Sequence, residues 1–156
     1  LAEAVEISEL EGFARYEWVQ NSFSLLDRED AETVFSVCHE HGLGYEAFGP
    51  LAGGWLAGRY RRGESYPEGS RMTQRPSGYR KYASDAVFDA LEALEREAFA
   101  RGVSMAGLAL AWLLAVPEIT AVVVGPTRAE HLEPVREALS LGLTPDDFAH
   151  LRVLFA

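Results

Sequence analysis

With one cysteine, Cys38, in 156 residues, this chain has no internal disulfide and no thiolate metal cluster. Long apolar runs are missing too. The most apolar stretch, Met105 to Val116, falls well short of the ~20 residues that span a bilayer, so no membrane partner is expected. Basic residues are few: 14 Lys and Arg stand against 24 Asp and Glu, for a formal net charge of −10. That balance disfavours nucleic acid and acidic lipid, either of which would repel the chain overall. The opening residues, Leu1 to Ile7, include no initiator Met and no signal-peptide order, and they read as the middle of a helix. A chain of this kind is expected to be a portion of a cytoplasmic protein.

What is present is the composition of one folded domain, 48% hydrophobic and 24% charged. Helical and extended signals alternate along it. Leu1 to Leu10 reads as a helix stopped by Gly12, and Tyr16 to Gln20 as a strand ending in the amides Gln20 and Asn21. Ala31, Val34, Phe35 and Cys38 recur at helical spacing up to Gly42, and Gly44 to Phe48 is a second strand. A loop rich in Gly, Arg, Ser and Pro then runs from Gly49 to about Lys81, a length typical of a binding loop or lid. Ser84 caps a helix ended by Gly102, and Ser104 caps the buried apolar helix. Ile119 to Val124 is β-branched without alternation, which predicts a parallel strand covered on both faces. Thr127-Arg128-Ala129-Glu130 has the spacing of a capping box, with Pro134 inside the helix it would start, and Thr144-Pro145 opens a last helix. Three parallel strands cannot close a barrel, which needs eight.

Three strings carry a resemblance. Val19-Gln20-Asn21-Ser22-Phe23-Ser24-Leu25-Leu26-Asp27-Arg28 resembles the sixth-strand segment of aldo-keto reductases. Ala47-Phe48-Gly49-Pro50-Leu51-Ala52-Gly53-Gly54-Trp55-Leu56-Ala57-Gly58-Arg59-Tyr60 is similar to the seventh, and Val123 to Glu133 to the eighth strand and adenosine-binding helix. The resemblance implies an α/β fold, the C-terminal half of a (β/α)8 TIM barrel with about three parallel strands and flanking helices, as a single partial domain over residues 1–156. It also implies NADPH as cofactor, reduction of a small aldehyde or ketone by hydride transfer, and a catalytic tetrad on strands outside this chain. No residue here is assigned a catalytic role.

The expected cofactor contacts are Gln20 on the nicotinamide carboxamide and Phe48 as the platform under the ring. Gly49, Leu51, Gly53 and Arg59 follow along the next turn, and Gly125, Thr127, Arg128 and His131 lie around the phosphates and adenosine. The chemistry is apt. An aromatic face stacks on a nicotinamide, glycines let backbone amides approach a pyrophosphate, and a guanidinium forms charge-assisted hydrogen bonds with phosphate. Arg128, taken to lie in the first turn of a helix, is expected to select for the 2′-phosphate. Each residue also has a plain structural reading: Phe48 as core, Gly53-Gly54 as a turn, Gln20 and Asn21 as caps of a strand end, Thr127 as a helix cap. His131 stands where the family usually has Gln, Val135 where it has Asn, and Gly49 where it has Ser. A second function class stays open, a non-catalytic half-barrel serving as an interaction or nucleotide-binding module. In either class an open sheet face is expected, able to drive self-association.

Overall fold

The computed structural model describes all 156 residues. Three parallel strands stand in the order β1 (Trp18–Ser22), β2 (Gly44–Phe48), β3 (Ala121–Val122). Trp18 pairs with Gly44 and Ser22 with Phe48, while Glu46 and Ala47 of β2 pair with Ala121 and Val122. Seven helices accompany them: α1 (Ala2–Glu11), α2 (Asp30–His41), α3 (Arg71–Gln74), α4 (Asp85–Ala100), α5 (Met105–Leu114), α6 (Glu133–Ser140) and α7 (Pro145–Val153). Parallel strands joined through helices are the arrangement expected of a sector of a (β/α)8 barrel.

Because side chains alternate along a strand, β2 sends Tyr45 and Ala47 to one face and Gly44, Glu46 and Phe48 to the other. Tyr45 and Ala47 are fully buried. The Tyr45 hydroxyl donates to Asp30 at 2.6 Å, and Asn21 Nδ2 donates to the same carboxylate at 2.8 Å, which joins both strands to the start of α2. Burial first, and then the bond to Asp30, push the Tyr45 phenol above its ordinary range. The opposite face is open. Trp18 is 53% exposed, and its ring lies so close over Gly44 that a Cβ there would come within 2.5 Å of it.

The core lies on the helix side. Trp112 of α5 is sandwiched between Phe23, 6.2 Å away and stacked, and Phe148 of α7, 5.3 Å away and stacked. Ser104 caps α5 by accepting from the Gly107 N–H, and Glu137 of α6 in turn accepts from the Ser104 N–H at 3.0 Å. Gly107 lets the two helices approach closely there, since a Cβ would sit 2.9 Å from the Glu137 Cβ. Arg28, in the loop after β1, donates to the carbonyls of Arg152 (2.8 Å), in the last turn of α7, and of Phe155 (2.7 Å), two residues beyond that helix.

At the other end of α7, Thr144 and Asp147 form a capping box, and Arg101, the residue after α4, reaches Asp147 at 2.7 Å. The Thr144 side-chain hydrogen bond, followed by Arg101, holds the Asp147 carboxyl below its usual range. A carboxyl whose folded pKa is depressed adds stability above its unfolded pKa, about 4, and loses that contribution as pH falls further. Asp147→Asn is therefore expected to flatten the acid limb of stability against pH, read from urea midpoints between about pH 7 and pH 3. An acid limb identical to that of the parent would contradict this role.

Several expectations are corrected. The first strand lies two residues later than the sequence pattern indicates, so Gln20 and Asn21 are inside it rather than at its end. The last strand is two residues long and half-buried, with Val123 and Val124 more than a third exposed, so it is not covered on both faces; one edge has no neighbouring strand. The Thr127–Glu130 capping box does not form. Ala129–Leu132 is a single 3-10 turn without a side-chain cap, and α6 begins at Glu133. Pro134 accordingly sits in the first turn of α6, where a missing N–H costs nothing, and does not bend the helix.

Candidate functional site

The strands end on a cleft of about 1500 Å³. Phe48, the last residue of β2, stands on its wall 44% exposed. The chain then turns sharply: Gly49, Ala52, Gly53 and Gly54 all have positive φ, Ala52 being the one non-glycine among them. Glycine is needed at 53 for a second reason. The Tyr79 ring, returning from the far end of the long loop, lies 2.4 Å from where a Cβ would be. Tyr60 donates to the Gly53 carbonyl at 3.0 Å, and the Gly54 N–H donates to the Leu51 carbonyl at 2.9 Å. That amide is therefore already engaged within the turn.

The long loop is folded rather than slack. Trp55, wholly buried, gathers Tyr60 (4.8 Å), Phe88 (5.6 Å) and Tyr82 (6.1 Å) around its ring and so binds both ends of the loop to α4. Fastened in this way, the loop carries Arg71 and Arg75 on α3 and its C-terminal boundary to the cleft wall, together with Lys81. Lys81 Nζ lies 3.6 Å from Asp27, whose other oxygen accepts from Ser22 Oγ at 2.8 Å. Arg59 and Arg128 complete the basic lining. Arg128 is extended and highly exposed, with its guanidinium 4.0 Å from Glu130. The Thr127 N–H donates to His131 Nδ1 at 3.3 Å, and Arg128 Nη2 is 3.3 Å from Nε2 of the same ring.

Nine of the ten expected site residues line this one cleft: Phe48, Gly49, Leu51, Gly53, Arg59, Gly125, Thr127, Arg128 and His131. Gln20 does not line it. Its Nε2 donates to Glu46 Oε2 at 2.7 Å on the open sheet face. The helix dipole invoked for Arg128 is absent at that position, because α6 starts five residues later. Sequence reading passed over Arg71, Arg75, Tyr79 and Lys81. Their signal was the basic character of the long loop, but the loop has no period from which to assign a facing direction.

The sequence model of the aldo/keto reductase family matches residues 2–154. The chain belongs to that family. Among its relatives, the L-glyceraldehyde 3-phosphate reductase of Escherichia coli O157:H7 is 40% identical over 126 residues, which cover 78% of this chain and 36% of the relative. An aldo-keto reductase of Pseudocercospora fijiensis is 30% identical over 156 residues, covering 94% of this chain and 53% of its own length. A probable voltage-gated potassium channel subunit beta of Arabidopsis thaliana is 30% identical over 127 residues, 78% of this chain and 38% of the relative. This aldo/keto reductase chain thus spans roughly a third to a half of the curated relatives it matches. No single helix in it is long and apolar enough to cross a membrane.

Proposed function

We propose that this chain is the cofactor-holding part of an NADPH-dependent reductase of small aldehydes or ketones. The observation that carries the reading is charge. In a chain of net −10, the cleft wall presents Arg59, Arg71, Arg75, Lys81 and Arg128 against the single acid Asp27. Lys81 is matched by Asp27 and Arg128 lies 4.0 Å from Glu130, which leaves Arg59, Arg71 and Arg75 facing the cleft without an acidic partner. NADPH carries about four negative charges, two on the pyrophosphate and nearly two on the 2′-phosphate, whereas NADH lacks the latter pair. Size agrees with charge: small-molecule sites usually enclose about 300–1,000 Å³, and this cleft has room for an extended dinucleotide.

When bound, the cofactor supplies hydride to a carbonyl carbon. The residues of this chain bind and orient it. Phe48 offers an exposed aromatic face at the strand end, and the arginines on the turn and on the long loop neutralise phosphate while Tyr79 holds that loop against Gly53. The family resemblance, together with relatives named for reduction of an aldehyde, supports a small carbonyl substrate. The proposal extends to a cytoplasmic setting and, for this chain on its own, to self-association through the open face bearing Trp18 and Phe48.

Affinity for the two cofactors tests the reading. Arg128→Ala is expected to weaken NADPH binding by about tenfold and to leave NADH nearly unchanged, in fluorescence titrations at fixed salt. Tenfold is the lower end for a charge-assisted contact, because Arg128 is exposed and gains nothing from a helix dipole. Equal losses for NADPH and NADH would remove the 2′-phosphate from this residue. Wild-type protein that binds neither would remove the function.

A further inference from the structure

His131, on the 3-10 turn before α6, lies on the cleft wall with its ring held between two neighbours of the same segment. Its Nδ1 is 3.3 Å from the Thr127 nitrogen and 3.3 Å from Thr127 Oγ1, and its Nε2 is 3.3 Å from Arg128 Nη2. The backbone N–H and the guanidinium can only donate, and a neutral imidazole has one lone pair to offer them. When the ring is protonated, Nδ1 donates to the Thr127 hydroxyl, which accepts as readily as it donates, and Nε2–H stands beside the guanidinium as a second positive charge. The other charged groups about this turn have partners of their own. Glu130 lies 4.0 Å from Arg128, and on α6, which packs against the turn, Arg136 engages Glu133 at 3.4 Å and Glu137 accepts from the Ser104 N–H at 3.0 Å. The cleft wall further carries Arg59, Arg71, Arg75 and the Lys81–Asp27 pair.

We propose that His131 is a specificity-determining residue whose protonation strengthens binding of the 2′-phosphate, so that the preference for NADPH over NADH grows as pH falls. The inference deepens, and rests on, the reading above that a dinucleotide occupies the cleft with its 2′-phosphate at Arg128. Histidine is the side chain that changes charge between about pH 5 and 8. Without a ligand, a cationic ring 3.3 Å from Arg128 Nη2 is repelled by the guanidinium. A phosphate dianion set against both groups attracts both, so binding of the phosphate and uptake of the proton favour each other. The sign follows from that coupling: affinity for the phosphate is gained as the ring takes up its proton and is lost as pH rises through the histidine range. NADH has no 2′-phosphate and gains nothing. Glutamine, which the resemblance gives as usual at this position, has no proton to gain in that range, so the pH dependence belongs to the histidine of this chain.

The test measures dissociation constants for NADPH and NADH at about pH 8 and pH 6, by fluorescence titration at fixed ionic strength, in the protein carrying this chain and in its His131→Gln and His131→Lys variants. The 2′-phosphate itself takes up a proton near pH 6, which lowers its charge in all three proteins alike, so the readout is the parent's preference divided by that of His131→Gln. From pH 8 to pH 6 this quotient is expected to rise by about three- to tenfold, between the effect of an exposed ion pair and that of a full charge-assisted hydrogen bond. His131→Lys keeps its charge throughout. It should exceed the parent's preference at pH 8 and follow the pH dependence of His131→Gln. A preference that changes with pH identically in the parent and in His131→Gln, with NADPH still bound, overturns the role of His131 and leaves the dinucleotide reading standing. A gain in acid that is equal for NADPH and NADH overturns the assignment of the ring to the 2′-phosphate. A wild-type protein that binds neither nucleotide overturns both.

Discussion

Arg71→Ala combined with Arg75→Ala is expected to lower NADPH affinity by about a hundredfold or more. Each guanidinium forms charge-assisted contacts worth about 1.5–3 kcal/mol when a phosphate is in reach, and a pair acting on one ligand multiplies the loss. The two residues are four apart across α3, which brings them to one side of that short helix, and both line the cleft. Arg80, nearby but outside the cleft wall, is the control, and Arg80→Ala should leave affinity within about twofold. The parent's affinity should also fall steeply as salt is raised, and the double variant's less so, because counter-ions screen exposed guanidinium groups. A loss under about threefold in the double variant would exclude these arginines from the site.

The second large effect concerns folding. Trp112→Ala should cost about 3–5 kcal/mol, the range for removing a buried tryptophan, and a domain of this size has only about 5–15 kcal/mol in total. Trp112 is 2% exposed, stacks against Phe23 and Phe148, and donates its indole N–H to the Phe148 carbonyl at 3.2 Å. One side chain therefore joins the end of the first strand, the apolar helix and the last helix. Equilibrium denaturation in urea is the measurement. A change below about 1 kcal/mol would mean that the ring sandwich contributes no more than a surface contact.

How much of this was legible in the sequence depended on how local the cause was. Gly44 to Phe48 was read with the bounds the structure has, because a glycine before it and Gly-Pro after it bracket a run whose alternation has one solution. Ser84 and Ser104 were read as helix caps and are, and Thr144-Pro145 was read as the opening of a helix and is, since such a start needs a partner two or three residues away and nothing more distant. Thr127 has the same local pattern and failed. There the hydroxyl meets His131 and the chain makes a 3-10 turn, so the helix waits for the proline at 134. The extent of the last strand was overread because a β-branched run reports a preference for extended backbone, while pairing requires a neighbour.

The cleft divides along the same line. Phe48, Arg59 and the glycine pair fall within the string that resembles the family's seventh-strand segment and were legible from that resemblance. Arg71, Arg75 and Lys81 were not, because their direction depends on Tyr79 closing onto Gly53, 26 positions earlier, and on Trp55 gathering aromatic rings from three segments. Gln20 was read as a cofactor ligand, but in this chain its amide is first of all the partner of Glu46. That pairing was missed because it joins adjacent strands, and cross-strand register is invisible until the strands are placed.

The Arg28 guanidinium bridges to carbonyls 124 and 127 positions further along the chain. A contact of that span has to wait for nearly all of the polypeptide to find its place, since the ends of so long a loop meet at random only rarely. The kinetic consequence is that Arg28→Ala should accelerate unfolding while leaving the refolding rate almost unchanged, so that the clasp acts as a late latch on the native state rather than as part of the nucleus.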